Sequence, residues 1–242
     1  MRRAGRAAMS VLRQAAGAVR PGVTTGEIDR LIGEWTKSLG AKSAFLGYRG
    51  FPCHACISVN EEVIHGIGGP RMLRFGDLVK LDVGVRLAGF VGDVAMTVAC
   101  GGCGPDEQRL LDATSKALRE GIRQVRAGAS TADIGLAVQT VVEGAGLGVI
   151  RDFCGHGVGR SVHEEPQVPN YADASSSVRL KAGVTIAIEP MVAMGSGSVR
   201  VLDDGWTVVT RDKRLAAHFE HTVLVMDGGH EILTDDGLAP LY

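Results

Sequence analysis

The sequence predicts an α+β fold of two pseudo-symmetric halves, with helices packed on one face of a curved antiparallel sheet. Three observations predict it. The stretch "VRPGVTTGEI" at 19–28 returns as "VRAGASTADI" at 125–134, identical at five of ten positions and 106 residues further on. In each half an apolar strand pattern ends on an acid six residues after a glycine: Gly76 to Asp82 in "GDLVKLD" and Gly183 to Glu189 in "GVTIAIE". Residues 79–98 read as two long apolar strands around one tight turn. A single domain over 1–242 is expected, with halves of approximately 1–104 and 105–242. Two copies of so long a unit do not make a solenoid.

Bulk properties exclude several classes of function. The chain has 242 residues, 45% hydrophobic and 22% charged, which is ordinary for a globular protein. Twenty-six basic residues face 27 acidic ones, so there is no electrostatic footprint for nucleic acid or a membrane surface. No run approaches the ~18 apolar residues of a membrane span. Five cysteines, an odd count, do not form a complete disulfide framework. The expected compartment is the cytoplasm.

The elements follow in order. The start, "MRRAGRAAMSVLRQAAGAV", is basic like a secretory signal, but Arg6 and Arg13 interrupt any apolar core. Ala8, Val11, Leu12, Ala15 and Val19 fall on one face of a helix instead. Thr24 and Glu27 have the spacing of a capping box, and Ile28, Leu31, Ile32 and Trp35 follow on one helical face. Cys53/Cys56 and Cys100/Cys103 are two CxxC pairs with 43 residues between them, against about 15–20 in a zinc ribbon. The second pair sits in "ACGGCGPDE", a strand-to-helix turn where small residues are expected anyway. In the 79–98 hairpin, a turn centred on Leu87 and Ala88 sets Asp82 opposite Asp93. Opposed Cβ atoms lie about 4.5–5.5 Å apart, so two acids there call for a cation between them. The bland alternative, acids pointing to water, fits poorly with strands this apolar.

The second half repeats the plan. Ser130 and Asp133 form the matching capping box, ahead of Ile134, Ala137, Val138, Val141 and Val142. "CGHGVGRSVHEEPQVPNY", residues 154–171, holds His156 and His163. It is not an HExxH zinc helix: Gln167 stands where the second histidine belongs, and Pro166 breaks a helix. With its glycines it reads as strand or loop. Glu189 and Glu220 lie 31 residues apart, against 11 for Asp82 and Asp93; the extra 20 match residues 195–214, which read as their own hairpin turning at Asp204-Gly205. Four carboxylates and one imidazole then converge. Their charge of −4 balances two divalent cations, and oxygen-rich ligation with one histidine suits Mn, Fe or Co, with Zn an alternative. Two such ions bridged by a hydroxide make a hydrolytic nucleophile at neutral pH.

The motifs "CGHGVGR", "HEEPQVPNY", "IEPM", "DGWTVVTRD" and "FEHTVLV" together resemble type I methionine aminopeptidase, of the pita-bread fold, over essentially the whole chain. The resemblance implies a metal-dependent enzyme that removes N-terminal methionine from nascent chains, possible ribosome contact included, when the next residue is small. It implies that Asp82, Asp93, His156, Glu189 and Glu220 bind two ions, Asp93 and Glu220 touching both. Glu189 counts among the catalytic groups as well, with His65 near the substrate's amino end and His163 polarising the scissile carbonyl. Tyr48, Phe51, Cys56, Phe45 and Trp206 line the methionine side-chain pocket or its rim. A monomer is expected, with no nucleic-acid or membrane partner.

The chain departs from the family in places. Phe45 stands where a small residue is common and Val162 where a phenylalanine is, so the two are expected to offset each other if they meet. Truncating Phe45 is expected to cost little stability. Val94 and Ala187 replace threonines, which removes two hydroxyls expected beside the acids. The family also carries a further N-terminal segment before the first helix. An Xaa-Pro peptidase of the same fold shares the ligand set but usually has a large extra N-terminal domain. A non-catalytic module of this fold loses ligands that this chain keeps. A Cys154/His156 nucleophile leaves four carboxylates without a role.

Overall fold

The computed structural model describes residues 1–175 and 177–237; Ser176 and residues 238–242 of the expected span lie outside them. The first half runs α1 (Arg2–Ala18), α2 (Thr25–Ser38), β1 (Lys42–Ser43), β2 (Cys56–Val59), β3 (Glu62–Ile64), β4 (Leu78–Leu87) and β5 (Phe90–Ala99). The second runs α3 (Pro105–Arg123), α4 (Thr131–Gly144), β6 (Gly148–Val149), β7 (Gly155–Gly157), β8 (Glu164–Val168) and β9 (Thr185–Ile188). It continues with β10 (Met191–Ala193), β11 (Val199–Val201), β12 (Val208–Thr210), β13 (Ala216–His218), β14 (Glu220–Met226) and β15 (Gly229–Ile232).

The expected helices form for the expected reasons. α1 buries Ala8, Val11, Leu12 and Ala15 on one stripe. α2 and α4 both start on complete capping boxes, Thr24 with Glu27 and Ser130 with Asp133. α3 starts at Pro105, with Asp106 and Glu107 in its first turn and Arg123 in its last, as the helix dipole favours. The internal repeat extends to the hydrogen bonds. Gly22 and Val23 exchange backbone bonds with Leu73, and Gly128 and Ala129 exchange the same pair with Leu180. The two N-caps make matching isolated bridges, Thr24 to Met72 and Ser130 to Arg179.

The main sheet has nine strands in the order β1-β4-β5-β14-β9-β7-β8, with β2 added on β4 and β15 on β14. Its two central strands, β5 and β14, come one from each half. One face meets the helices in a large apolar core that includes Leu12, Ile32, Val83, Val94, Ile134 and Ile188. The segment inserted in the second half folds as the hairpin β11–β12, with Gly205 at φ +77 in its turn, and β12 pairs with β3 of the first half.

One register differs from expectation. Leu87 pairs with Phe90, so Asp82 faces Ala95 and Gly84 faces Asp93. The turn is centred on Ala88 and Gly89, both at positive φ, 52° and 82°. A two-residue turn of this kind wants glycine at a central position, and centring it on Leu87 and Ala88 would force a bulky leucine into the left-handed region. The slip is two residues, so side-chain parity is kept. Asp82 and Asp93 are diagonal neighbours on one face instead of a direct pair.

Candidate active site

The face of the sheet away from the helices carries the polar chemistry. Cys56 of β2 pairs with Asp82 of β4, Asp82 with Ala95 of β5, and Ala95 with Glu220 of β14. This row runs straight across the junction of the two halves. Asp93 lies two residues along β5, and Glu189 follows the end of β9, which is hydrogen-bonded to β14. His156, in β7, brings its Nε2 to 3.4 Å from a Glu189 oxygen and 4.0 Å from an Asp93 oxygen. All five residues of the expected ligand set are therefore on one patch.

Their environment is unusual for carboxylates. Asp93 and Glu220 are 3% and 2% exposed. Asp82 Oδ1, Asp93 Oδ1 and Glu220 Oε1 are buried with no hydrogen-bond donor. Burial first, and then mutual repulsion, pushes all four carboxyls, including Glu189, well above the usual carboxylate range. Buried orphaned acceptors at this density need a cation or protons. Asp93, His156 and Glu220 each offer an atom within 4.8 Å of the others, a fit to one metal ion. His156 Nδ1 donates to the Gly157 carbonyl at 2.9 Å, which leaves the Nε2 lone pair free to bind a metal. Burial holds its pKa down to about 4, so the imidazole is neutral. The donor set fits divalent ions.

The glycines of the "CGHGVGR" loop have a steric cause. A Cβ on Gly155 would lie 2.3 Å from the Ala187 oxygen, and one on Gly157 would lie 2.1 Å from the Glu165 oxygen. Only bare backbone lets β7 sit between β9 and β8 with His156 aimed at the acids.

His163 stands beside His156. It is solvent-exposed, its ring centroid is 4.2 Å from that of His156, and its Nδ1 hydrogen-bonds the Tyr48 hydroxyl at 2.9 Å. Partial burial, and then the Arg49 charge, lower its pKa. His65 is held at φ 58, edge-on to Phe153 and Trp206, and burial lowers its pKa to about 4. The expected pocket residues also come together. Phe45, Phe51 and Cys56 belong to one buried apolar cluster, with Tyr48 and Trp206 packed at its edge. Phe51 and Trp206 meet edge to face at 5.1 Å. Val162 belongs to the same cluster as Phe45, so the large-for-small exchange can balance in one space.

Some expectations need correction. Val94 points to the helix-side core, away from the acids, whereas Ala187 pairs with Thr222 on the acid-bearing face, as expected. The hydroxyl next to Asp93 belongs to Thr222: its Oγ1 accepts from the Asp93 amide at 3.1 Å and donates to the Asp93 carbonyl at 2.7 Å. Sequence reasoning missed two buried groups. His218, 1% exposed, brings Nε2 to 3.5 Å from Glu189. Its signal was the "HFE" spacing, because His218 stands two residues before Glu220. Lys80 is fully buried two residues before Asp82. All five cysteines are free, and no cysteine belongs to a three-donor cluster among the described residues.

Comparison with known proteins fits this geometry. The model of metallopeptidase family M24 matches residues 1–227. "Methionine aminopeptidase 1" of Bacillus subtilis is 42% identical over 234 residues, 97% of this chain and 94% of that protein. The crystal structure of a methionine aminopeptidase from Thermotoga maritima superposes with a TM-score of 0.95 at 42% identity, covering 98% of this chain and 95% of that one. A prolidase from Pyrococcus furiosus shares the fold at a TM-score of 0.78, but at 20% identity and with 63% of its own length covered.

Proposed function

This chain belongs to metallopeptidase family M24, as a methionine aminopeptidase of the pita-bread fold that removes N-terminal methionine with the help of divalent metal, and we propose that Asp82, Asp93, His156, Glu189 and Glu220 hold two such ions. The observation that carries this reading is the set of buried carboxylate oxygens without donors, facing one another across the junction of the halves. Two divalent charges offset four carboxylates. Oxygen-rich ligation favours Mn, Fe or Co over Zn. When bound, the metal supplies a water nucleophile at neutral pH and electrophilic pull on the scissile carbonyl.

The chain's own residues do the rest. The cluster of Phe45, Phe51, Cys56, Tyr48 and Trp206 takes the methionine side chain. His65, beside Trp206, lies on the amino side of the substrate. With the Tyr48 hydroxyl as the donor to His163 Nδ1, the proton of His163 sits on Nε2, where it donates to the carbonyl oxygen as negative charge develops. Glu189, within reach of the metal site, accepts a proton from the attacking water and delivers it to the leaving amine. Cleavage only ahead of a small second residue is part of the same proposal.

The substrates are nascent polypeptide N-termini, met in the cytoplasm near the ribosome. The chain works as a monomer and as one catalytic domain over 1–242, its halves dividing near residue 104. No helix among the described residues is long and apolar enough to cross a membrane, and the net charge of −1 gives no pull toward nucleic acid. The test is metal stoichiometry measured beside cleavage of Met-Ala-Ser and Met-Leu-Ser after loading with Mn or Co. Two ions per chain and cleavage of Met-Ala-Ser alone are expected. Equal rates on both peptides overturn the selectivity, and cleavage without bound metal overturns the ligand assignment.

A further inference from the structure

Lys80 is among the largest fully buried side chains of the described residues, 1% exposed as the third residue of the apolar strand β4. Its Nζ contacts are backbone carbonyls: Asn60 at 2.7 Å, Ala216 at 3.2 Å and Leu78 at 3.4 Å. These oxygens come from three separate segments. Asn60 is in the turn between β2 and β3, Leu78 begins β4, and Ala216 begins β13. Asn60 stands at φ 60, a left-handed conformation that costs little for asparagine. The turn is pinned there: the Leu78 amide donates to Asn60 Oδ1, and Asn60 Nδ2 donates to Asp77, both at 2.9 Å. So an αL turn is held with its carbonyl aimed at the ammonium.

The clamped segments lead to opposite sides of the active site. The β2–β3 hairpin carries Cys56 and runs into His65. β13 runs from Ala216 to His218, which touches Glu189, and Glu220 follows at the start of β14. The Ala216 amide also donates to the Asn60 carbonyl at 3.2 Å, so the two segments meet at the ammonium. Three converging carbonyl oxygens repel one another unless a cation lies among them. An apolar side chain of the same length would fill the volume and remove the shared donor, leaving the Asn60 and Leu78 carbonyls with only their backbone donors, the Ala216 and Asn60 amides.

We propose that Lys80 is a positioning residue for peptide cleavage, its buried Nζ clamping the substrate-side β2–β3 turn to the metal-side strand β13 through the carbonyls it binds. This rests on the assignment of the site given under Proposed function. The ammonium sets the spacing between His65 and Cys56 on one side and Glu189 and Glu220 on the other. Its loss misaligns the bound peptide with the reacting groups, which lowers turnover more than binding.

The experiment compares Lys80→Met and Lys80→Ala with the parent chain on Met-Ala-Ser, each loaded with Mn and assayed for bound metal. Expected for Lys80→Met is a fall in kcat of tenfold or more with KM changed less than threefold. In Lys80→Ala, ammonium or methylammonium chloride restores a large part of kcat, whereas choline chloride at the same ionic strength does not, and the parent responds to neither. A Lys80→Met chain with kcat and KM within twofold of the parent overturns the proposal. So does a Lys80→Ala chain that responds alike to ammonium and choline. If neither variant folds in sodium chloride, refolding in ammonium against choline makes the same comparison: recovery in ammonium alone supports the clamp, and recovery in both or neither overturns it. A parent chain that leaves Met-Ala-Ser uncut overturns the functional reading instead, and ammonium-specific refolding then decides the clamp on its own.

Discussion

The two halves of the molecule deliver the same kind of group by different routes. In the first half, Asp82 and Asp93 ride on one hairpin, 11 residues apart, with nothing between the strands but an Ala88-Gly89 turn. In the second half, Glu189 and Glu220 lie 31 residues apart and flank β10 to β13, which include the β11–β12 hairpin. The first half supplies carboxylates, the apolar-cluster residues Phe45, Phe51 and Cys56 proposed for the methionine pocket, and one histidine beside Trp206. The second adds His156, His163 and His218 to its carboxylates, and its inserted hairpin reaches back to pair with β3 and to set Trp206 against Phe51. A duplicated scaffold thus gives a near-symmetric charge cluster, and in the proposed function the asymmetric additions give direction to a substrate.

The largest expected effect breaks the symmetric part. Asp82→Asn is expected to abolish metal binding and activity together while leaving the fold. Its stability should also depend on pH in a defined direction. Burial, and then the Glu189 charge, raise the Asp82 carboxyl in the folded metal-free chain. A folded-state pKa raised above the unfolded value of about 3.9 stabilises below that value, and the stabilisation is lost as pH rises through the raised pKa. Asparagine has no such loss. Denaturant unfolding of chelator-treated proteins is therefore expected to show Asp82→Asn as no more stable than the parent near pH 3.5 and increasingly more stable toward pH 8. A gap that is constant with pH, or that shrinks, is inconsistent with a buried, cation-starved Asp82.

Next in size are the histidines that the first half lacks. His163→Ala is expected to keep both ions and lose roughly 10²–10³ in kcat, with KM little changed. His156→Ala is expected to weaken metal binding, with activity partly restored by excess metal. A titration of Mn into both variants, read as stoichiometry beside kcat, separates them. Metal rescue of His163→Ala breaks the division between ligand and carbonyl donor.

How much of this was legible in the sequence depends on the range of the interaction. The capping boxes, the internal repeat and the inserted hairpin were legible because each is decided within a few residues. The hairpin register was misread by two because turn chemistry at Gly89 outweighed a symmetric count of apolar residues. Lys80 was not legible: its partners are carbonyls, which every residue has, and it takes the left-handed Asn60 to aim one of them. The Tyr48–His163 bond joins residues 115 apart and leaves no local signature. Val94 shows the opposite failure, a substitution read as bearing on the acids when strand parity turns it to the other face of the sheet.

Phe45 sharpens the comparison at the pocket, where first-half and second-half residues meet. Its ring lies so close to β4 that a Cβ on Gly84 would be 2.4 Å from it, and Val162 shares its cluster. Phe45→Cys is expected to admit bulkier pocket-directed inhibitors with several-fold gains in affinity. The tight packing changes the stability expectation: the cost should lie toward the lower end of the ~3–5 kcal/mol seen for phenylalanine truncation in cores. The double variant Phe45→Cys/Val162→Phe is expected to recover part of that loss. Inhibitor titration and thermal unfolding of both check it, and unchanged affinity in a folded Phe45→Cys protein removes Phe45 from the pocket.

The smallest effect tests the symmetry itself. Thr24 and Ser130 hold equivalent places in the repeat, and each accepts the N3 amide and is answered by an N3 carboxylate: Glu27 at 2.8 Å and Asp133 at 2.8 Å. Both acids are lowered first by the hydrogen bond from the capping residue's own amide. Each cap also anchors a matching bridge, to Met72 and to Arg179, at the start of the segment that leads into β4 or β9. Loss of such a cap costs about 1 kcal/mol. Thr24→Ala and Ser130→Ala are therefore expected to destabilise by about that amount each, equally within a few tenths, and to add in the double variant because the sites are far apart and share no partner. Urea unfolding of the three variants measures it. A markedly larger cost at one cap would show that the halves, alike in their local hydrogen bonds, do not carry equal weight in the stability of the whole.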